Sequence, residues 1–193
     1  MRSIVVTVIA VFCVVLPARA HVTIPTEFRE VVRDASLIVR GRVTDVRSES
    51  VPGTGIESIA TLAVESVVKG RASGFVYVRV PGGEVGRSRV VMVGAPTFRP
   101  GQRAIFFLRP TGTDSSYRPI GLTLGVFRVQ AEPGTGRAVV APPLVGGITE
   151  ARSGPAVRGD TRRRLMPVPD FEALVKLVMA SSAGQAVIRG GGR

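Results

Sequence analysis

Two hydrophobic periods alternate along the chain. In "TEFREVVRDA" (26–35), Phe28, Val31 and Val32 recur at the i, i+3, i+4 spacing of a helix face, while Glu27, Arg29 and Glu30 fall mostly elsewhere. With Thr26 as an N-cap residue, a short helix is expected. The period then drops to two. In "LIVRGRVTDV" (37–46), Leu37, Val39, Gly41 and Val43 alternate with Arg40, Arg42 and Thr44. In "IESIATLAVESVV" (56–68), Leu62, Val64 and Val68 oppose Glu57, Thr61 and Glu65. Each segment has one apolar face, and "SESVPGTG" between them is turn chemistry, so the pair reads as a hairpin.

Further short strands are expected at "FVYVRV" (75–80), "SRVVMV" (88–93), "RAIFFLR" (103–109) and "YRPIGLTLGVFRV" (117–129), each bounded by Gly or Pro. Such spacing argues for a β-barrel or sandwich rather than βαβ units. Gly121 and Gly125 mark a break or bulge within the last run. Residues 130–168 are rich in Gly, Pro and Arg and read as long loops with one candidate strand at 138–141. Asp170 then caps a second helix over 169–181, with Phe171, Leu174, Val175 and Val178 on one face and Glu172 and Lys176 paired outside. The expected fold is mainly β: an N-terminal segment and helix (21–36), a barrel (37–129), loops, a C-terminal helix and a tail (182–193).

Residues 1–20, "MRSIVVTVIAVFCVVLPARA", carry a basic start at Arg2, an apolar run and a small-x-small end at Ala18, Arg19 and Ala20. This is the layout of a secretory signal peptide, and the expected location is secreted or periplasmic. The apolar run is short for a transmembrane span. Phe12 is bulky where a lipidated Cys13 would want a small neighbour. Cys13 is the one cysteine, so cleavage after Ala20 removes every thiol and excludes a disulfide framework or thiol chemistry in the mature chain. The formal net charge is +12, nearly all of it arginine, since Lys69 and Lys176 are the only lysines. That field attracts polyanions or acidic partners. Export argues against nucleic acid.

The segment "PGGEVG" (81–86) lacks the Lys and Ser/Thr of a phosphate loop, and strands flank it on both sides, so it reads as a hairpin tip. Glu84 would need a second titrating group to act in acid–base chemistry. The single histidine, His21, becomes the mature N-terminus; one histidine is too few for a copper brace, and it lies outside the expected barrel, where a hydrolase triad would need it. Zinc sites built from His and Cys fail on the same count, and no D-x-D-x-D run offers calcium ligands. No catalytic residue, metal or cofactor is therefore assigned. Arg162, Arg163 and Arg164, with Arg152 and Arg158, form a candidate polyanion contact. Arg158, Gly159 and Asp160 spell an adhesion tripeptide that such a composition yields by chance.

Three stretches carry a resemblance: "DASLIVRGRVTDV" (34–46), "VESVVKG" (64–70) and "FRPGQRAIFFL" (98–108). Together they resemble the netrin-like modules, including the N-terminal domain of tissue inhibitors of metalloproteinases, over roughly residues 25–129. The chain also resembles uncharacterised exported bacterial proteins sharing "PGGEVG" and "GAPTF". The netrin-like resemblance implies a small five-stranded OB barrel with helices packed on it. In the inhibitors, a disulfide-pinned Cys-x-Cys reaches the protease zinc; here His21, Val22 and Thr23 stand there without a disulfide, as a candidate partner-binding segment. Two functional readings stay open. One is a non-enzymatic exported binding module, a protease inhibitor or an accessory partner of an envelope protein. The other is an enzyme using carboxylates and arginines on the barrel face, such as Glu84, Glu65 and Arg103, with Glu84 and Arg103 as candidate ligand contacts. A basic binder of polyanions or envelope glycans is a third.

Overall fold

The computed structural model describes residues 26–112, 114–143 and 165–190. Residues 1–20, the segment His21, Val22 and Thr23, and the arginines Arg158, Arg162, Arg163 and Arg164 lie outside the described residues. The chain is mainly β, with one large sheet and two helices. In order it forms α1 (Thr26–Asp34), β1 (Leu37–Val51), β2 (Gly55–Lys69), β3 (Phe75–Pro81), β4 (Gly83–Val85), β5 (Ser88–Val90), β6 (Arg103–Pro110) and β7 (Ser116–Pro119). A 3-10 turn at Leu122–Gly125 leads into β8 (Val126–Ala131), β9 (Ala138–Ala141), β10 (Met166–Pro167) and α2 (Val168–Gly190).

The large sheet runs β1-β2-β3-β7-β6-β8-β9-β10, and β1 pairs with β6 as well as with β2. All pairings are antiparallel except β3 with β7. β1 serves two neighbours because it is long and irregular. Residues 37–42 pair with β6, residues 38–51 pair with β2, and register shifts near Val39, Gly41 and Thr44 bend it. Such bulges increase local twist and turn a strand from one partner to the next.

The apolar run in β6 shows how the layers divide. Ala104, Phe106 and Leu108 join one core with Leu37, Val39, Leu62 and Val78. Ile105 and Phe107 face the other way, into a second core with Ile38, Phe127 and the helix residues Val32, Phe171 and Val175. A strand covered on both faces reads as a continuous hydrophobic run, and "AIFFL" is one. The helical stripes expected around Val31 and Phe171 are the surfaces that cover it. Arg40 fastens α2 from the side, donating to Glu172 Oε1 at 2.8 Å.

The "VVKG" ending of β2 has a specific task. Lys69 Nζ donates to the carbonyls of Val32 and Arg33, each at 2.9 Å, and so caps the end of α1. Gly70 follows at φ +82°, where a Cβ would lie 2.6 Å from the Ser36 carbonyl oxygen. Glycine is required there by space as well as by backbone angle.

Three expectations change in detail. The run at 88–93 is not a strand of the main sheet: only Ser88–Val90 is extended, paired with Gly83–Val85 in a separate two-stranded ribbon. The run at 117–129 splits into β7, a 3-10 turn and β8. The second helix continues to Gly190, past the expected end at 181. Among the described residues, no helix is long and apolar enough to cross a membrane.

Candidate functional site

The β4–β5 ribbon folds over one end of the β1–β2–β3 strands and encloses a cleft of about 330 Å³. Val46, Val80 and Phe98 are among its apolar lining, with Ser58, Glu84 and Arg89 as polar groups and Val90, Val91 and Met92 along one side. The hairpin is pinned by serines. Ser48 and Ser58 share a hydroxyl–hydroxyl bond at 3.1 Å, Ser58 Oγ donates to the Gly82 carbonyl at 2.8 Å, and the Glu84 N–H donates to Ser48 Oγ at 3.3 Å. Gly83, at φ +142°, lies directly over that pair, and any Cβ would collide with both hydroxyls. The hairpin is therefore shorter than expected: Gly83–Val85 of "PGGEVG" is itself a strand, and the turn lies at Gly86 and Arg87.

Beyond β5 the chain stays in the open. Val91 and Val93 are 75% and 87% exposed, and Val90 and Met92 are also exposed. This segment is held at both ends. β5 anchors its start; at its end the Gly94 carbonyl accepts from Thr123 Oγ1 at 2.6 Å and from the Thr123 N–H at 3.1 Å. Four consecutive apolar side chains are thus presented to solvent on anchored backbone, beside an apolar cleft.

The opposite face of the same strands is polar. Period-two alternation puts Val46, Ser58 and Val80 toward the cleft, and Arg47, Ile59 and Arg79 outward. There Arg79 is the hub of an ion network. It donates to Glu49 Oε1 and to Asp114 Oδ2, with Glu57 Oε2 at 3.5 Å. Glu57, only 3% exposed, also accepts from Arg118. Asp114 accepts from the hydroxyls of Ser116 and Thr111 and from the Ser116 N–H. The Ser116 hydroxyl first, then the Thr111 hydroxyl, hold the Asp114 carboxyl well below the usual carboxylate range, with the Ser116 N–H and Arg79 adding to the effect.

A pH dependence follows. Asp114 is harder to protonate in the fold than in the unfolded chain, whose carboxyl titrates near pH 4. Its contribution is fully present above that value and is lost as pH falls toward the folded-state value. The melting temperature of the wild type should therefore exceed that of Asp114→Asn at pH 7. The two curves should converge as pH is lowered from about 5 to 2. A constant gap over that range would remove the carboxylate from the account.

The residues singled out from sequence are not gathered at one place. Arg103 is engaged by Glu65 through two guanidinium nitrogens at 3.0 and 2.6 Å, and Glu65 lies 3.6 Å from Arg40. These groups form a chain linking β1, β2 and β6 to α2. Glu84 sits at the cleft, and among the described residues no ion pair joins it to Arg103. No cluster of His, Cys, Asp and Glu suited to a metal ion is found among the described residues. The sequence reading passed over Arg47, Tyr77 and Arg79, although a signal was present: in "FVYVRV" the valines hold one face and Phe75, Tyr77 and Arg79 share the other. No protein-family model matches the chain, and no curated protein matches it.

Proposed function

We propose that this chain is an exported, non-enzymatic binding module on a small OB-like barrel, and that it holds an exported protein partner against residues 90–93 and the cleft behind them. The barrel reading is supported by the strand cycle β1-β2-β3-β7-β6 and back to β1, with one apolar cluster common to these strands. Five strands in such a cycle suit the OB architecture. The netrin-like resemblance fits the same reading, since its "VVKG" segment caps the helix that covers the barrel.

The observation that carries the function is the exposed run Val90, Val91, Met92 and Val93. Contiguous solvent-facing apolar side chains rimmed by polar residues are the kind of patch that marks an interaction surface. Of the groups offered for catalysis, Arg103 and Glu65 are occupied by each other, and Glu84 stands at the cleft apart from both. A protease or another envelope protein is the partner class that the resemblance favours.

The test is capture from the source's envelope and medium at low and high salt, with wild type beside Val91→Glu/Val93→Glu. Both positions are exposed, so the double variant should fold normally, and its capture of a salt-resistant partner should fall at least about tenfold. Equal capture by both proteins would exclude the ridge as the contact. Capture that disappears with salt would favour the arginine field and a polyanion instead.

A further inference from the structure

The outward face of β1, β2 and β3 carries features that the protein-contact reading does not use. Register places Arg47 opposite Ile59 and Ile59 opposite Arg79; the next row is Asp45, Thr61 and Tyr77; Phe75 follows beyond Tyr77, opposite Ala63. Ile59 is 2% exposed and forms the floor of a shallow cavity of about 260 Å³, walled by Arg47, Tyr77, Arg79, Asp114, Ser115 and Ser116. Phe75 and Tyr77 are 60% and 44% exposed, two rings on one side of one strand. Two residues of a strand advance about 6.7 Å, so the rings form a short row rather than a stack.

The charges divide into used and unused groups. Arg79 is spent on Glu49, Asp114 and Glu57. Arg47 is exposed and makes no ion pair or hydrogen bond among the described residues, and the Tyr77 hydroxyl has no partner there either. A free guanidinium at the mouth, a row of aromatic faces and small hydroxyl groups at the wall are complementary to a chain of pyranose rings bearing carboxylates. The rings offer flat C–H faces to sugar, the guanidinium grips a carboxylate through two parallel bonds, and Ser115 and Thr61 suit sugar hydroxyls. A single-stranded nucleic acid would want a succession of cations tracking its backbone. This face instead offers one free arginine beside two aromatic rings, with the Asp114 carboxylate already taken up by Arg79, Thr111 and Ser116. That matches one sugar carboxylate flanked by stacked rings and gives no row of cations for a phosphodiester.

We infer that the outward face formed by Arg47, Tyr77, Phe75 and the Asp114–Ser116 loop is a second binding site, on the side of the strands away from the cleft, and that its ligand is an acidic oligosaccharide of the uronic-acid class. A module that grips a protein on one side and an acidic glycan on the other would hold that partner at the envelope.

The full-length protein is titrated with an oligogalacturonate, with a neutral oligosaccharide of equal length and with an oligodeoxythymidylate, by calorimetry and by intrinsic tyrosine fluorescence. The chain has two tyrosines and no tryptophan, so the fluorescence reports largely on this region. Binding should favour the oligogalacturonate. Tyr77→Ala should weaken it by roughly tenfold or more, Tyr77→Phe should keep most of it, and Arg47→Ala should weaken it and flatten its salt dependence. Val91→Glu/Val93→Glu should leave it unchanged, which separates this site from the protein-contact surface. The inference is overturned if no oligogalacturonate binds, or if binding ignores Tyr77→Ala. It is equally overturned if the neutral chain binds as well, or if the oligodeoxythymidylate binds more tightly through the same residues.

Discussion

Phe107→Ala is expected to lower the unfolding free energy by about 4 kcal/mol, the largest effect of any single truncation considered. Phe107 is 0% exposed and sits where both helices meet the sheet. Its ring lies 6.0 Å from Phe28 of α1, 5.1 Å from Phe127 of β8 and 6.4 Å from Phe171 of α2, centroid to centroid. Removing it opens a void that three rings from three elements cannot fill together. Edge-on ring contacts, each contributing of order 1 kcal/mol, go with it. Urea unfolding of the variant should show the midpoint falling without a change in slope. Phe75→Ala, on an exposed ring, should stay within about 0.5 kcal/mol of wild type. If the two substitutions cost the same, the second core does not hold the helices.

Arg79→Ala is expected to cost about 2–3 kcal/mol, by a different mechanism. Glu57 is almost fully buried, and Arg79 is one of the two cations that face it. Without that guanidinium, a carboxylate remains in low dielectric with Arg118 alone, while Glu49 and Asp114 lose their shared partner. Truncating one side of a buried pair costs more than the pair contributes. Adding Glu57→Gln to Arg79→Ala should recover part of the loss, and the double-mutant cycle measures that coupling. A loss below about 0.5 kcal/mol would reduce the network to ordinary surface pairs.

Much of the architecture was legible along the chain. Alternation located β1 and β2, and short strand-forming runs bounded by Gly or Pro located β3 and β6, because burial of one face writes itself as a period and burial of both as an unbroken run. The helix stripes at Val31 and Phe171 were visible for the same reason. The run at 88–93 misled: "SRVVMV" has the composition of a buried strand, yet only three residues pair, and Val91 and Val93 face solvent. Propensity records what a segment tolerates, and tertiary placement decides whether anything covers it. That same mismatch between composition and burial is what motivates the proposed contact surface.

The sites were less legible. Glu84 and Arg103 were candidate ligand contacts, but Arg103 is matched by Glu65, 38 residues away in sequence, across strands not paired in sequence order. Glu49, Glu57, Arg79, Asp114 and Arg118 come from four separate segments, and no local spacing announces them as one network.

By itself the sequence determined the class of most segments, the leader-like start, the single histidine and single cysteine, and the positive field. Those properties are local or additive, so they survive without coordinates. The tertiary structure alone decided that β1 pairs on both sides, that the β4–β5 ribbon stands apart from the sheet, and that, among the described residues, an apolar ridge is exposed and Arg47 is left free while Arg79 is saturated. Each of these depends on which distant side chains arrive at one place, and strand pairing across the fold sets that.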